Sequence, residues 1–551
     1  MAHDPPGPIP GQEPHDPIPG SEPSPTASGG PIPAASAQAG APRKGLILAT
    51  LCVALFVAML DNVVVSNALP SIDRDLGAGV SGLQWVMEGY SLIFAALLLT
   101  GGTLGDRYGR RPVFLIGLGV FTAGSIVCAL AGSLTALIAG RAVQGVGGAL
   151  LLPGSMSIIR HVFTDDRERA RAIGIWSGVS GAGLALGPVI GGPLVDAFGW
   201  ASVFWINVPI GVAGILVGAA VLPEFAERRG RFDVPGLVLG VLGIGALVFA
   251  LIEGPAQGWG SARVLAAATL AAGALIAFVC VELRVAQPML DVGFLRDRVI
   301  GAAVWGGFAV SFGMFGALFF LGLYMQDVLG YSPTRAGFAS LPSTLAIMIA
   351  APISGHLAGR IGPRVPLASG LALCAVALGG LSFYGKDVSY LEFFWVLPFL
   401  GAGMGLCFTP ISVAVMSRVE PARAGMASAV TNTARELGGV VGIAALGAVL
   451  TARLSSRLTE LLADARVPAD DARRIVDAGT SGGGGGIGHL GDTPAVVRDA
   501  ATTAFMDGLH LALWTGSAML LVSAVLVAYL MRDRPKRPAA QDPARIADLV
   551  G

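Results

Sequence analysis

Gly102-Thr103-Leu104-Gly105-Asp106-Arg107-Tyr108-Gly109-Arg110-Arg111 ends one long apolar run of the chain and opens the next. An apolar helix that closes on Asp-Arg, a turn glycine and two arginines reads as a tight, charged hairpin between two membrane spans. The skeleton returns as Gly355-His356-Leu357-Ala358-Gly359-Arg360-Ile361-Gly362-Pro363-Arg364. A Gly-x-Leu-x-x-Arg-x-Gly-x-Arg pattern repeated in corresponding places predicts two related halves. Gly359 stands where the first copy has Asp106, so the halves are not equivalent.

Around these hairpins the composition is that of a chain immersed in lipid. Of 551 residues, 54% are hydrophobic and 13% charged, about half the charge of a soluble domain. The apolar residues fall into runs of about 20, the helical length that crosses a ~30 Å hydrocarbon core. A β-barrel, which alternates apolar and polar residues, is excluded. Fourteen spans are expected near 46–68, 82–104, 112–131, 135–158, 170–194, 202–222, 234–253, 263–281, 300–323, 335–358, 364–383, 391–416, 424–451 and 507–531. The net charge is zero, which argues against a nucleic-acid partner. The five cysteines sit in apolar runs with neither a disulfide framework nor metal-ligand spacing.

Charge distribution tests the span count. With the N-terminus inside, 24 of the 36 Lys and Arg fall on inner segments and 10 on outer ones. Six of those ten share one long loop, where the positive-inside rule is weak, and Arg141 and Arg435 lie inside spans. A multi-pass protein of the cytoplasmic membrane with both termini cytoplasmic is the expectation. Residues 1–44 form a Pro/Gly-rich tail expected to be disordered, with 12 Pro and 6 Gly in the first 42 positions. Residues 45–223 make a first six-helix bundle, 224–299 hold spans seven and eight, 300–531 make a second bundle, and 532–551 a cytoplasmic tail. The long outer loop, 452–506, carries leucines at helical spacing over Arg453–Ala465 and a glycine run, Gly482–Gly486, expected to be flexible.

Several motifs now converge. The first hairpin resembles motif A of the major facilitator superfamily. Span four carries Arg141-Ala142-Val143-Gln144-Gly145-Val146-Gly147-Gly148, similar to its motif B, and span five carries Gly183-Leu184-Ala185-Leu186-Gly187-Pro188-Val189-Ile190-Gly191-Gly192, which matches its antiporter motif C. Leu60-Asp61-Asn62-Val63-Val64-Val65-Ser66-Asn67-Ala68-Leu69-Pro70 in span one resembles the signature of the fourteen-helix drug:proton antiporters, with Asn62 and Ser66 as departures. The stretch Trp200 to Gly211, ending Ile206-Asn207-Val208-Pro209-Ile210-Gly211, fits the same subfamily. The resemblance implies an all-α membrane protein of the major-facilitator fold, two six-helix bundles plus an inserted helix pair. It further implies a monomer that exports amphipathic, often cationic or aromatic, compounds against inward proton flow. No cofactor, metal or catalytic residue is expected, and no Walker A sequence points to ATP. Its nearest rival is a dedicated exporter of one metabolite, such as a self-made antibiotic, lipid or siderophore. A non-transporting sensor or scaffold has no need of Asp61, Asp106, Arg141 and Gly187-Pro188.

Each motif has a physical reading. Gly183, Gly187 and Gly191 share one helix face and permit close helix approach, while Pro188 removes a donor and bends the helix. With Gly192, and with the resemblance, the stripe is expected to pack the two halves together when the cavity faces inward. In the family fold Asp106 faces the start of span thirteen near 424, where a helix N-terminus carries about half a positive charge. Gly102, Asp106, Arg107, Gly109, Arg110 and Arg111 are thus expected to latch the halves. Asp61 lies roughly 22 Å from the inner end of its span, and Glu88 and Arg141 roughly 9 Å below outer ends. The three are expected to share a proton-coupling network, since burial disfavours a charged carboxyl and a nearby arginine favours it. Phe312, Met314, Phe315 and Phe319 of span nine, with Arg435 and Glu436 near the midplane, are expected to line the cavity.

Overall fold

The computed structural model describes residues 41–224, 234–285, 292–419, 424–481 and 494–532. The expectations for 1–40, for the chain beyond 532 and for Gly482–Gly486 fall outside the described residues. Among the described residues twelve stretches, or thirteen with Arg167–Gly183 and Leu186–Phe198 counted as one bent span, are long and apolar enough to cross a membrane, and fourteen helices overlap the fourteen expected spans. They are α1 (Ala41–Val64), α2 (Gly79–Tyr108), α3 (Arg110–Ala129), α4 (Leu134–Val162), α5 (Asp166–Phe198), α6 (Asn207–Val221) and α7 (Val234–Gln257). The rest are α8 (Ala262–Glu282), α9 (Arg298–Leu323), α10 (Leu341–Ile361), α11 (Arg364–Leu381), α12 (Val396–Met416), α13 (Ala424–Asp464) and α14 (Ala495–Leu530).

The packing repeats. In the first half α1 packs on α5 and α6, α2 on α4, and α3 on α4 and α6. In the second half α9 packs on α13 and α14, α10 on α12, and α11 on α12 and α14. The two hairpins are matched in detail. Gly109 and Gly362 both hold positive φ, 97° and 81°, a conformation that strains any side-chain-bearing residue. Arg111 donates from Nη2 to the carbonyl of Ala219 near the end of α6. Its counterpart Arg364 donates from Nε to the carbonyl of Ala528 near the end of α14, at 2.8 Å. Each arginine therefore supplies a donor to the unsatisfied C-terminal carbonyls of the last helix of its own half.

The halves meet along α2 with α13, and along α5 with the short helix Pro333–Ala339 that leads into α10. At the end bearing the long 452–506 connection they are joined tightly. Gln84 donates to the Ile443 carbonyl at 2.9 Å, Gln326 to the Asn67 carbonyl at 3.2 Å, and the Thr334 amide to Asp196 at 2.9 Å. At the short-loop end, which holds Gly109 and Gly362, positions for a Cβ on Gly174, Gly178 and Gly181 of α5 and on Gly359 of α10 have nothing within 4 Å. The described cross-half hydrogen bonds are thus gathered at the long-loop end, and these four positions meet no described neighbour. The pair α7–α8 lies across the α2–α13 seam: Val248 and Ile252 pack with Leu92, Val440 and Ala444. Glu253 accepts from Trp85 Nε1 at 3.0 Å and Ser81 at 3.2 Å.

Two expectations are revised. The glycine stripe of α5 was expected to pack half against half, yet it seats α5 on α1 of the same half. A Cβ on Gly183 would stand 2.9 Å from the Phe56 carbonyl, one on Gly187 2.9 Å from Val63 Cβ, and one on Gly191 2.7 Å from Val64 Cγ2. The far half is met by Gly192, whose Cβ would lie 2.4 Å from the Pro333 carbonyl, and by the Pro188 carbonyl, 2.2 Å from the Cβ position of Gly337. Asn67 donates to that same Pro188 carbonyl at 2.7 Å. The amphipathic segment Arg453–Ala465 is no separate helix either. It continues α13 to Asp464, burying Leu454, Leu458 and Leu462 in one core with Val497, Ala501 and Phe505 of an α14 that starts twelve residues early, tied by Arg457 to Asp507 at 3.0 Å.

Gly192→Val is accordingly expected to open the long-loop end. Overpacking costs about 1–3 kcal/mol, enough to shift the closed-to-open ratio by about tenfold. Spin-label distances between positions 196 and 334 should lengthen, and an unchanged distribution would show that Gly192 does not set this contact.

Candidate functional site

The site is built on α4, whose small residues let its neighbours approach. A Cβ on Gly145 would lie 2.6 Å from the Tyr90 carbonyl of α2, and one on Gly147 2.4 Å from the Phe121 amide nitrogen of α3. Bare positions on α4 thus bring two backbones against it. Between them Arg141 and Gln144, three residues apart, project from one face. Asp61 arrives from the last turn of α1, just before the chain tightens into the 3-10 turn Val65–Asn67. Asn207 arrives from the first turn of α6 and Ser125 from α3.

All these side chains are buried. Arg141 Nη1 donates to Asp61 Oδ2 at 2.5 Å and to Gln144 Oε1 at 3.0 Å, while its Nε donates to the Val86 carbonyl at 3.0 Å. Asp61 Oδ1 accepts from Gln144 at 3.1 Å and from Asn207 at 2.6 Å. Gln144 also donates to Ser125 at 2.8 Å. The guanidinium lies 4.6 Å from the Tyr90 ring centroid and 5.9 Å from that of Phe204. Arg141 Nη2 and Asn207 Oδ1 are left without a hydrogen-bond partner among the described residues. An ion pair with such a shell offsets the several kcal/mol per ion that desolvation costs.

Of the three residues expected in one network, Asp61 and Arg141 meet and Glu88 does not. Both Glu88 carboxyl oxygens are buried without a hydrogen-bond partner among the described residues. α2 contributes the Val86 carbonyl and the Tyr90 ring instead, because Glu88 lies on a different face of the helix at a similar depth. Glu88 is close enough to Glu436 of α13 for their charges to interact across the halves. Gln144, Asn207 and Ser125 complete the shell. The first two lie inside the motif B and Trp200–Gly211 stretches, and the i, i+3 relation of Gln144 to Arg141 is the sequence signal for it.

Motif A gathers at the short-loop end. Arg110 reaches back to the Gly102 carbonyl at 3.3 Å, Arg111 serves α6, and Arg107 is exposed with its guanidinium 5.4 Å from the Tyr108 ring centroid. The Asp106 side chain and those of 424–426 lie outside the described residues. In α9, Phe315 packs on the bare surface of Gly439 and Phe319 is fully buried against Phe320, so both are helix-packing residues in this state. Phe312 and Met314 are buried as well. A pocket instead forms between α12 and α13, headed by Arg435.

A family model described as Major Facilitator Superfamily matches residues 51–443. The chain belongs to the Major Facilitator Superfamily. It is therefore a multi-pass membrane transporter, not an enzyme, and needs no cofactor. It is 38% identical over 480 residues to the multidrug resistance protein Stp of Mycobacterium tuberculosis, covering 85% of this chain and 88% of that protein. The tetracenomycin C resistance and export protein of Streptomyces glaucescens is 34% identical, with 90% and 93% covered. The multidrug efflux pump LfrA of Mycolicibacterium smegmatis is 34% identical, with 89% and 97% covered. Among solved structures, an inward-facing, unoccupied bacterial homolog of the human lysosomal transporter Spinster superposes with TM-score 0.62 at 16% identity, over 90% of this chain and 100% of that one. That likeness carries the fold alone.

Removing one partner of a buried pair strands the other charge, at a cost of about 3–5 kcal/mol. Arg141→Gln is expected to lower the thermal unfolding midpoint of the purified protein clearly, and Asp61→Asn combined with Arg141→Gln to recover part of the loss. Equal midpoints for single and double variants would mean that the pair carries no net coupling.

Proposed function

We propose that this transporter exports amphipathic drugs or antibiotics from the cytoplasm in exchange for protons, with Asp61 as proton carrier and Arg141 as its partner. The observation that carries this reading is the buried Asp61–Arg141 pair, held by groups from α2, α4 and α6. A proton reaching Asp61 removes the charge that Arg141 faces. Gln144 and Asn207 then lose their anionic acceptor, and the helices carrying them are released from one arrangement. Return of the proton to the other side restores the pair. Each proton crossing 100 mV supplies about 2.3 kcal/mol. Glu88, buried without a partner, is a second carrier in the same half.

The excess of Lys and Arg on the short-loop side supports a cytoplasmic placing of both termini. The state described is then inward-open, and the protein works as a monomer, one cavity per chain. Asp106 and its motif neighbours latch the short-loop end when the transporter turns outward. A second reading, dedicated export of one self-made metabolite, is favoured by the kinship with the tetracenomycin C resistance and export protein. Efflux assays against a compound panel separate the two.

In energised inverted vesicles Asp61→Asn should abolish uncoupler-sensitive transport at normal membrane levels, since it keeps the side-chain shape but cannot cycle a proton. Normal uncoupler-sensitive transport by this variant would reject the assignment. Asp106→Asn should cut transport severely while Asp106→Glu retains more, because the latch needs charge. Wild-type rates for both would reduce motif A to a topological turn.

A further inference from the structure

Arg435 projects from α13 beside the ring of Phe408 on α12, its guanidinium carbon 4.5 Å from the ring centroid. That contact engages the face of the guanidinium and leaves its N–H edge free for in-plane acceptors. No hydrogen bond joins Arg435 to any described residue, and its Nε is buried with no acceptor. Glu436, the adjacent carboxylate, lies about 100° round the helix and forms no ion pair with it among the described residues. A half-buried guanidinium whose Nε is sealed from water and whose edge is unmet is an unfinished site.

What it faces is a pocket of about 40 Å³ that Ser412, Ser428 and Asn432 line together with Phe408 and Met416. The side chains of Ser412, Ser428 and Asn432 carry no hydrogen bond to another described residue, so their donors are also uncommitted. A water needs about 10–15 Å³ of such space. The pocket thus takes a carboxylate-sized head and not a whole drug. The body of a larger molecule has to extend beyond the pocket, past Met416 and Ser428 at its rim.

We propose that the α12–α13 pocket binds the anionic head, a carboxylate or similar oxyanion, of an aromatic or apolar molecule, with Arg435 as counter-charge and Ser412, Ser428 and Asn432 as supporting donors. The inference deepens the export reading and rests on it: among amphipathic compounds, those with an acidic end are the ones this half selects. A cationic head is repelled by Arg435. An anionic lipid headgroup offers the same chemistry, so the test has to separate lipid from cargo.

The test is equilibrium dialysis of the full-length protein in phosphatidylcholine nanodiscs against 2-naphthylacetate, its neutral amide and 2-naphthylmethylammonium. The acetate should bind at least about tenfold tighter than the other two, as expected for charge-assisted hydrogen bonds in a partly dry site. Arg435→Gln should erase the preference, and Arg435→Lys should keep its sign with weaker binding. The lysine variant carries the test if the glutamine variant does not fold. Equal affinities for the three compounds, or acetate binding untouched by both substitutions, would overturn the proposal. So would phosphatidylglycerol that fully displaces the acetate and survives native mass spectrometry on the wild type but not on Arg435→Gln, which would make the pocket a lipid site. Binding needs no proton gradient. Failure here therefore stands apart from failure of the export reading, which would appear as absent uncoupler-sensitive efflux in vesicles.

Discussion

A carboxylate and a guanidinium in contact, sealed from water inside a lipid-spanning bundle, form the constraint around which the first half is organised. Neither Asp61 nor Arg141 has any exposed surface, and each alone would cost far more than a helix packing contact returns. The sequence meets that demand by thinning α4. Gly145 and Gly147 let α2 and α3 press against it, which brings the Val86 carbonyl and Ser125 within reach of the same cluster. Close packing and charge neutralisation are therefore one design, because the glycines that bring the backbones together also deliver the polar groups.

The second half repeats the scaffold without the pair. Its helix contacts follow the first half element by element, and the Arg111–Ala219 contact is echoed by Arg364–Ala528. Its half-buried intramembrane cation, Arg435, instead has an aromatic face and no acceptor among the described residues. One half stores a satisfied charge and the other an unsatisfied one.

Much of the fold was legible because lipid imposes blunt rules. Apolar runs of span length and arginines that alternate sides located all fourteen helices, and the repeated hairpin announced the two halves. The Asp61–Arg141 meeting was legible from depth, since charges at one level have few other partners. Depth alone misjudged Glu88, which lies at a similar level but a different azimuth. The neutral members Gln144, Asn207 and Ser125 were harder to see, because a single amide or hydroxyl in an apolar helix gives no periodic signal. The α5 glycine stripe showed that some backbone comes close; its partner, α1, is decided by three-dimensional packing that a helical wheel does not contain. The leucines after Arg453 were read correctly as helical, but nothing in their spacing told that the helix was α13 itself.

The placing of α7 also has a bearing on how the two halves can move. The two halves share two seams, one along α2 and α13 and the other where α5 meets the short helix Pro333–Ala339 and α10. The first is covered by α7, fixed to α2 through Glu253 and to both halves through Val248 and Ile252. The two seams are therefore unequal: parting the halves along α2 and α13 has to break the contacts of α7 as well, so any hinge between them is handed.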